Sequence, residues 1–179
     1  HITGVLFDID PKDKKRPTDE ATHQAALDKT QELVNSNSFL QEGSIILSSG
    51  NGAQILVPVH FTQDIAGHSQ KIKALQDDLR KKYFSGDSDM NLDAVHDPPR
   101  VMALAGTLKM KGDATEDRPY RLVSFYSDPV WERNEALMEE IERQEIKNKP
   151  SPQLIVPTTE SGELPDLDAC PCLKKILEG

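Results

Sequence analysis

The stretch Val5-Leu6-Phe7-Asp8-Ile9-Asp10-Pro11 constrains this chain more than any other. Apolar and β-favouring residues run into two aspartates at i and i+2. A proline that cannot extend a ladder follows, which is the pattern of a buried strand reaching its end. Side chains two apart on a strand project from the same face, so Asp8 and Asp10 stand side by side and Ile9 turns into the core. Adjacent carboxylates repel each other unless a cation lies between them, and hard oxygen ligands of this kind suit magnesium or manganese. The plain alternative is a pair of turn-capping aspartates, since Asp is a common turn residue.

Downstream, Thr18-Asp19-Glu20 supplies an oxygen cap and first-turn acids for a helix that keeps its apolar period through Ala26, Leu27, Leu33 and Val34 to about Asn35. The run Asn35 to Ser38 ends it. Two β-type runs, Ser44 to Ser48 and Ala53 to Val59, flank Ser49-Gly50-Asn51-Gly52, a hairpin signal, and Pro58 argues for a sheet edge or strand end. Ile65, Ile72, Leu75, Leu79 and Tyr83 recur at helical spacing, which predicts an amphipathic helix over 64–83 lying on a sheet. Leu92-Asp93-Ala94-Val95 is a second apolar stretch interrupted by an aspartate. Val101 to Leu104 and Tyr120 to Tyr126 read as strands, and Pro129 to Lys147 as a helix burying Val130, Trp131, Leu137, Met138 and Ile141. Residues 148–168, rich in Pro, Ser, Thr and acids, read as a linker, and 169–179 as a C-terminal helical segment.

The 179 residues carry a net charge of −9, which is not the overall footprint of a nucleic-acid binder. Any such contact must come from the local basic cluster Arg100, Lys109, Lys111, Arg118 and Arg121. No apolar run approaches the ~20 residues that span a bilayer, and the opening residues do not read as a charged-then-apolar signal peptide, so export is not expected. Cys170 and Cys172 are too few for a disulfide framework and too closely spaced for an ordinary zinc pair. A reducing, cytoplasmic setting is expected. The chain opens within a residue or two of a core strand, so an upstream module is expected to be missing.

Taken in order, Asp-x-Asp at a strand end, Ser-Gly-Asn-Gly, an aspartate ahead of an arginine, and Gly106-Thr107-Leu108-Lys109-Met110-Lys111-Gly112 followed by Arg118-Pro119-x-Arg121 resemble the catalytic core of the archaeo-eukaryotic primase superfamily. The likeness is to the primase-polymerases of plasmids, phages and mobile elements, and it covers residues 5 to 126. It implies an α/β (α+β) fold over 1–147, with an RNA-recognition-motif-like mixed or antiparallel sheet flanked by helices and a metal site in the cleft above the sheet. Asp8 and Asp10 match the first motif, and Asp93 is the better match than Asp97 for the third metal-binding acid. Ser49, Gly50, Asn51 and Gly52 match the second motif, but Gln54 stands where the family has a histidine. Lys109 replaces a family asparagine.

The resemblance implies template-directed nucleotidyl transfer, that is, synthesis or extension of DNA or RNA primers, with nucleoside triphosphates and single-stranded or primed DNA as partners. Such a protein is part of a larger replication protein or complex. Nucleotidyl transfer uses two divalent cations ~4 Å apart, and three carboxylates on adjacent strands hold both. Asp8, Asp10 and Asp93 take that role. A glycine-flanked turn brings backbone N–H groups to phosphate oxygens, helped by Ser49 and Asn51, while Gln54, Arg100, Lys109, Lys111, Arg118 and Arg121 meet triphosphate or template charge. Two rivals remain: a degenerate member that binds nucleotide or nucleic acid without polymerising, and a metal-dependent nuclease or phosphohydrolase. His23, His60 and His68 read as surface or turn histidines, with His96 a weak neighbour of the Asp93 site, and Trp131 reads as helix packing.

Overall fold

A computed structural model describes residues 1–13, 15–87, 89–97 and 102–145. Arg100, the expected linker and C-terminal segment, and both cysteines lie outside the described residues. β1 (Ile2–Pro11) leads to α1 (Glu20–Asn35), the short α2 (Ser38–Gln41), β2 (Ile45–Ser48), β3 (Ala53–Phe61), α3 (Ile65–Tyr83) and β4 (Met90–Asp93). After these come three two-residue strands, β5 (Leu108–Lys109), β6 (Arg121–Leu122) and β7 (Ser124–Phe125), and finally α4 (Glu135–Arg143). The result is an α+β unit whose main sheet runs β4-β1-β3-β2-β7 with antiparallel pairing throughout, beside a β5-β6 ribbon. No helix among the described residues is long and apolar enough to cross a membrane.

Alternation along the strands assigns the two faces. Val5, Phe7 and Ile9 of β1, Ala53, Ile55 and Val57 of β3, and Met90 and Leu92 of β4 join one buried cluster. Helical residues close it from one side: Ala26, Leu27 and Leu33 of α1, Leu40 of α2, Ile72, Leu75 and Leu79 of α3, and Leu137 and Ile141 of α4. Each of the Leu and Ile side chains among them contributes about 1.5–3 kcal/mol by leaving water. The intervening positions, among them Asp8, Asp10, Gln54 and Asp93, therefore share the opposite face.

Several sequence expectations change. Asp19, not Thr18, caps α1 by accepting from the Thr22 backbone N–H, because the Thr18 hydroxyl is turned to the Asn51 carbonyl at 3.1 Å. Pro58 sits in β3, a central strand, and is tolerated because β2 pairs only as far as Leu56. Met102 to Leu104 form no strand, and Val101 lies outside the described residues. The expected strand over 120–126 breaks at Val123, with β6 pairing to β5 and β7 to β2. The last helix begins only at Glu135, where the Asn134 side chain accepts from the Leu137 N–H and donates to the Phe39 and Glu42 carbonyls. Val130 and Trp131 precede it, and Trp131 is 65% exposed, so it packs into no core.

Candidate metal centre

Pairing register decides which acids meet. Asp8 of β1 is the direct cross-strand partner of Asp93 in β4, and Asp10 of Asn91. Directly opposed residues of an antiparallel pair point to the same face, so the β4 acid joins the two of β1. One oxygen from each of Asp8, Asp10 and Asp93 lies within 4.8 Å of the others, and all three residues are half-buried. The Asn91 amide donates to Asp93 Oδ1 at 2.9 Å. Across the other edge of β1, Gln54 opposes Asp8, and its Nε2 donates to Asp8 Oδ1 at 3.1 Å. The three carboxylates make an all-oxygen donor set of the kind that takes hard divalent cations, with the Asn91 and Gln54 amides donating to two of them.

The Ser49–Gly52 turn lies against this cluster. A Cβ on Gly52 would come within 2.3 Å of the Ile9 carbonyl and 2.8 Å of Asp10 Oδ1, so only glycine lets the turn approach the acids this closely. Gly50 has φ +87°, and a Cβ there would meet the Lys109 Cβ at 2.6 Å. The turn thus links the acidic cluster to the β5-β6 ribbon, where Lys109 pairs with Arg121. Its own polar groups are turned inward. Ser49 Oγ accepts from the Gly52 N–H, the Ser49 N–H donates to the Gly52 carbonyl, and the Gly50 N–H donates to Ser48 Oγ.

Sequence reasoning missed one residue that braces this turn. His23, which reads as a surface residue, is buried on α1 with Nε2 at 2.8 Å from Ser48 Oγ. Burial, with Arg121 adding to it against a smaller opposing effect of Glu20, holds this imidazole below the usual histidine range. Arg121 donates to the Thr18 carbonyl and to Glu20, and Arg118 to the Pro17 carbonyl and Asp19. Both arginines therefore fasten the start of α1. Lys111 is half-buried just beyond β5. His96 pairs with Asp97 at 3.5 Å, and its carbonyl accepts from Ser69.

Gln76 is a second such omission. It is fully buried on α3, donates to the Leu6 carbonyl at 2.9 Å and accepts from the Val95 N–H at 3.2 Å. It replaces the ladder where β4 ends and so sets the chain's exit from Asp93. The signal was a glutamine within the apolar stripe Ile72, Leu75, Leu79. No protein-family model, no curated protein and no solved structure matches this chain.

Proposed function

We propose that this protein is a metal-dependent nucleotidyl transferase that makes or extends primers on single-stranded or primed DNA, built on the RNA-recognition-motif-like core of the primase-polymerases. The observation that carries the reading is the convergence of Asp8, Asp10 and Asp93, from two strands, within 4.8 Å on one sheet face. That geometry suits magnesium or manganese held by the three carboxylates. Cations bound there supply activation of the attacking hydroxyl and neutralisation of the triphosphate. The chain's own residues do the rest. Asn91 and Gln54 hold Asp93 and Asp8 by hydrogen bonds, Gly52 lets the turn close over Asp10, and Lys109 beside Gly50 supplies a positive charge to phosphate.

A second reading, a module that binds nucleotide or nucleic acid without polymerising, is favoured by one observation. The Gly50 and Gly52 N–H groups are engaged within the turn rather than presented to a ligand. Incubation with a primed template, labelled nucleotides and manganese separates the readings. Extension that disappears in Asp8→Ala and Asp10→Ala supports the transferase. Binding without extension supports the module, and shortening of the primer points to a nuclease.

A further inference from the structure

Gln54 is 7% exposed, and its Nε2 donates to Asp8 Oδ1. The carboxylate fixes which way the amide faces, because the reverse orientation would set oxygen against oxygen. That leaves Oε1 buried, without a hydrogen-bond partner among the described residues. A buried acceptor left unpaired is costly and calls for a partner. The oxygen and nitrogen of an amide are only about 2.2 Å apart, so with Nε2 at 3.1 Å from Asp8 Oδ1, Oε1 lies no farther than about 5.3 Å from that carboxylate. A triphosphate presents oxygens to its surroundings and is repelled by a carbonyl. A divalent cation is attracted both to the three carboxylates and to a neutral carbonyl, and glutamine carbonyls are among the ligands such cations take.

Resting on the metal-site reading above, we propose that Gln54 Oε1 is a fourth, neutral oxygen ligand to a divalent cation held by Asp8, Asp10 and Asp93. Substitution by an apolar side chain then removes a ligand as well as the hydrogen bond to Asp8, and water takes the vacated coordination position.

The test uses the whole chain with manganese alone, without nucleotide or DNA. Titration followed by electron paramagnetic resonance gives the Kd, and water-proton relaxation gives the number of waters on bound manganese. For Gln54→Leu the Kd is expected to rise about tenfold, with about one more water on the ion. Gln54→Met serves as a second variant should the first fail to fold by circular dichroism. An unchanged Kd overturns the proposal. So does a weaker Kd with the same water count, since Gln54 would then act only by steadying Asp8. A wild-type protein that binds no manganese overturns both this and the transferase reading. Manganese binding with the expected water gain in a protein that extends no primer upholds this inference and overturns that reading alone.

Discussion

Asp8 of β1 and Asp93 of β4 are direct cross-strand partners, so the ladder holds two carboxylates face to face. Like charges directly opposed destabilise an antiparallel pair, and a cation between them reverses the sign. Asp93→Asn is therefore expected to melt higher than wild type in chelator and to lose the gain in Tm that manganese gives. If the three acids hold manganese as proposed, the ion at about a hundred times its Kd is expected to add about 2.7 kcal/mol to wild type. That shifts Tm by roughly 5–10 °C for a domain of this size. Thermal melts with and without metal check this, and a variant that melts lower in chelator contradicts it.

The two turn glycines separate strain from function. Gly50→Ala meets the Lys109 Cβ in a positive-φ conformation, whereas Gly52→Ala meets Asp10 and the Ile9 carbonyl. Each is expected to cost about 1–3 kcal/mol in denaturant unfolding. Gly52→Ala also displaces Asp10 and is expected to weaken manganese binding, while Gly50→Ala leaves it nearly unchanged. Equal metal affinity in the two variants would show that the turn does not shape the acidic cluster.

Lys109 and Arg118 carry the same charge in different surroundings. Arg118 is paired with Asp19 at 3.0 Å, and Lys109 lies against the turn beside the acids. If DNA binds along this face, Lys109→Ala is expected to reduce the slope of log affinity against log salt by about one. Arg118→Ala is expected to leave the slope unchanged. Salt titrations by fluorescence anisotropy decide between them, and equal slopes for both variants would remove Lys109 from the backbone contact.

His68 joins α3 to α4 through Glu142, at 2.7 Å, and stacks on Phe61. Burial pulls this imidazole down, but hydrogen bonds to Glu142 and to the Asp64 and Gln63 carbonyls outweigh it and hold it above the usual 6.5. A raised value means stability that is complete below pH 6.5 and is lost as pH rises through the folded value. Glu142 is held below its usual 4.5 by Lys71 and His68, so its share is lost only as pH falls through the folded carboxyl value. Wild type is expected to lose Tm between pH 6 and pH 8 more steeply than His68→Gln. Parallel profiles would remove the clamp.

His23 has the opposite sign. Held low by burial and Arg121, it contributes stability that is present above pH 6.5 and lost as pH falls through its depressed folded value. His23→Asn is expected to melt lower at pH 8, where the bond to Ser48 is lost, and to show a shallower decline on acidification than wild type. Thermal melts from pH 8 to pH 5 test this. A decline as steep as in wild type would place the acid-sensitive group elsewhere.

What the sequence determined by itself is local. The two-residue period places Asp8 and Asp10 on one face and Ile9 in the core, and the helical spacing of Ile72, Leu75 and Leu79 marks the buried side of α3. The Ser-Gly-Asn-Gly signal likewise marks the β2–β3 turn. These follow from backbone geometry acting over a few residues. Tertiary structure alone decided which distant groups meet. That Asp93 stands opposite Asp8, that Gln54 spends its amide hydrogen on Asp8, and that His23 lies beneath Ser48 all depend on register between strands and on how a helix docks. Periodicity carries no information on register beyond parity. The same holds for 120–126 and for Trp131. A β-rich heptad does not reveal that its halves join different partners, and an aromatic at helical spacing does not reveal that the helix begins four residues later.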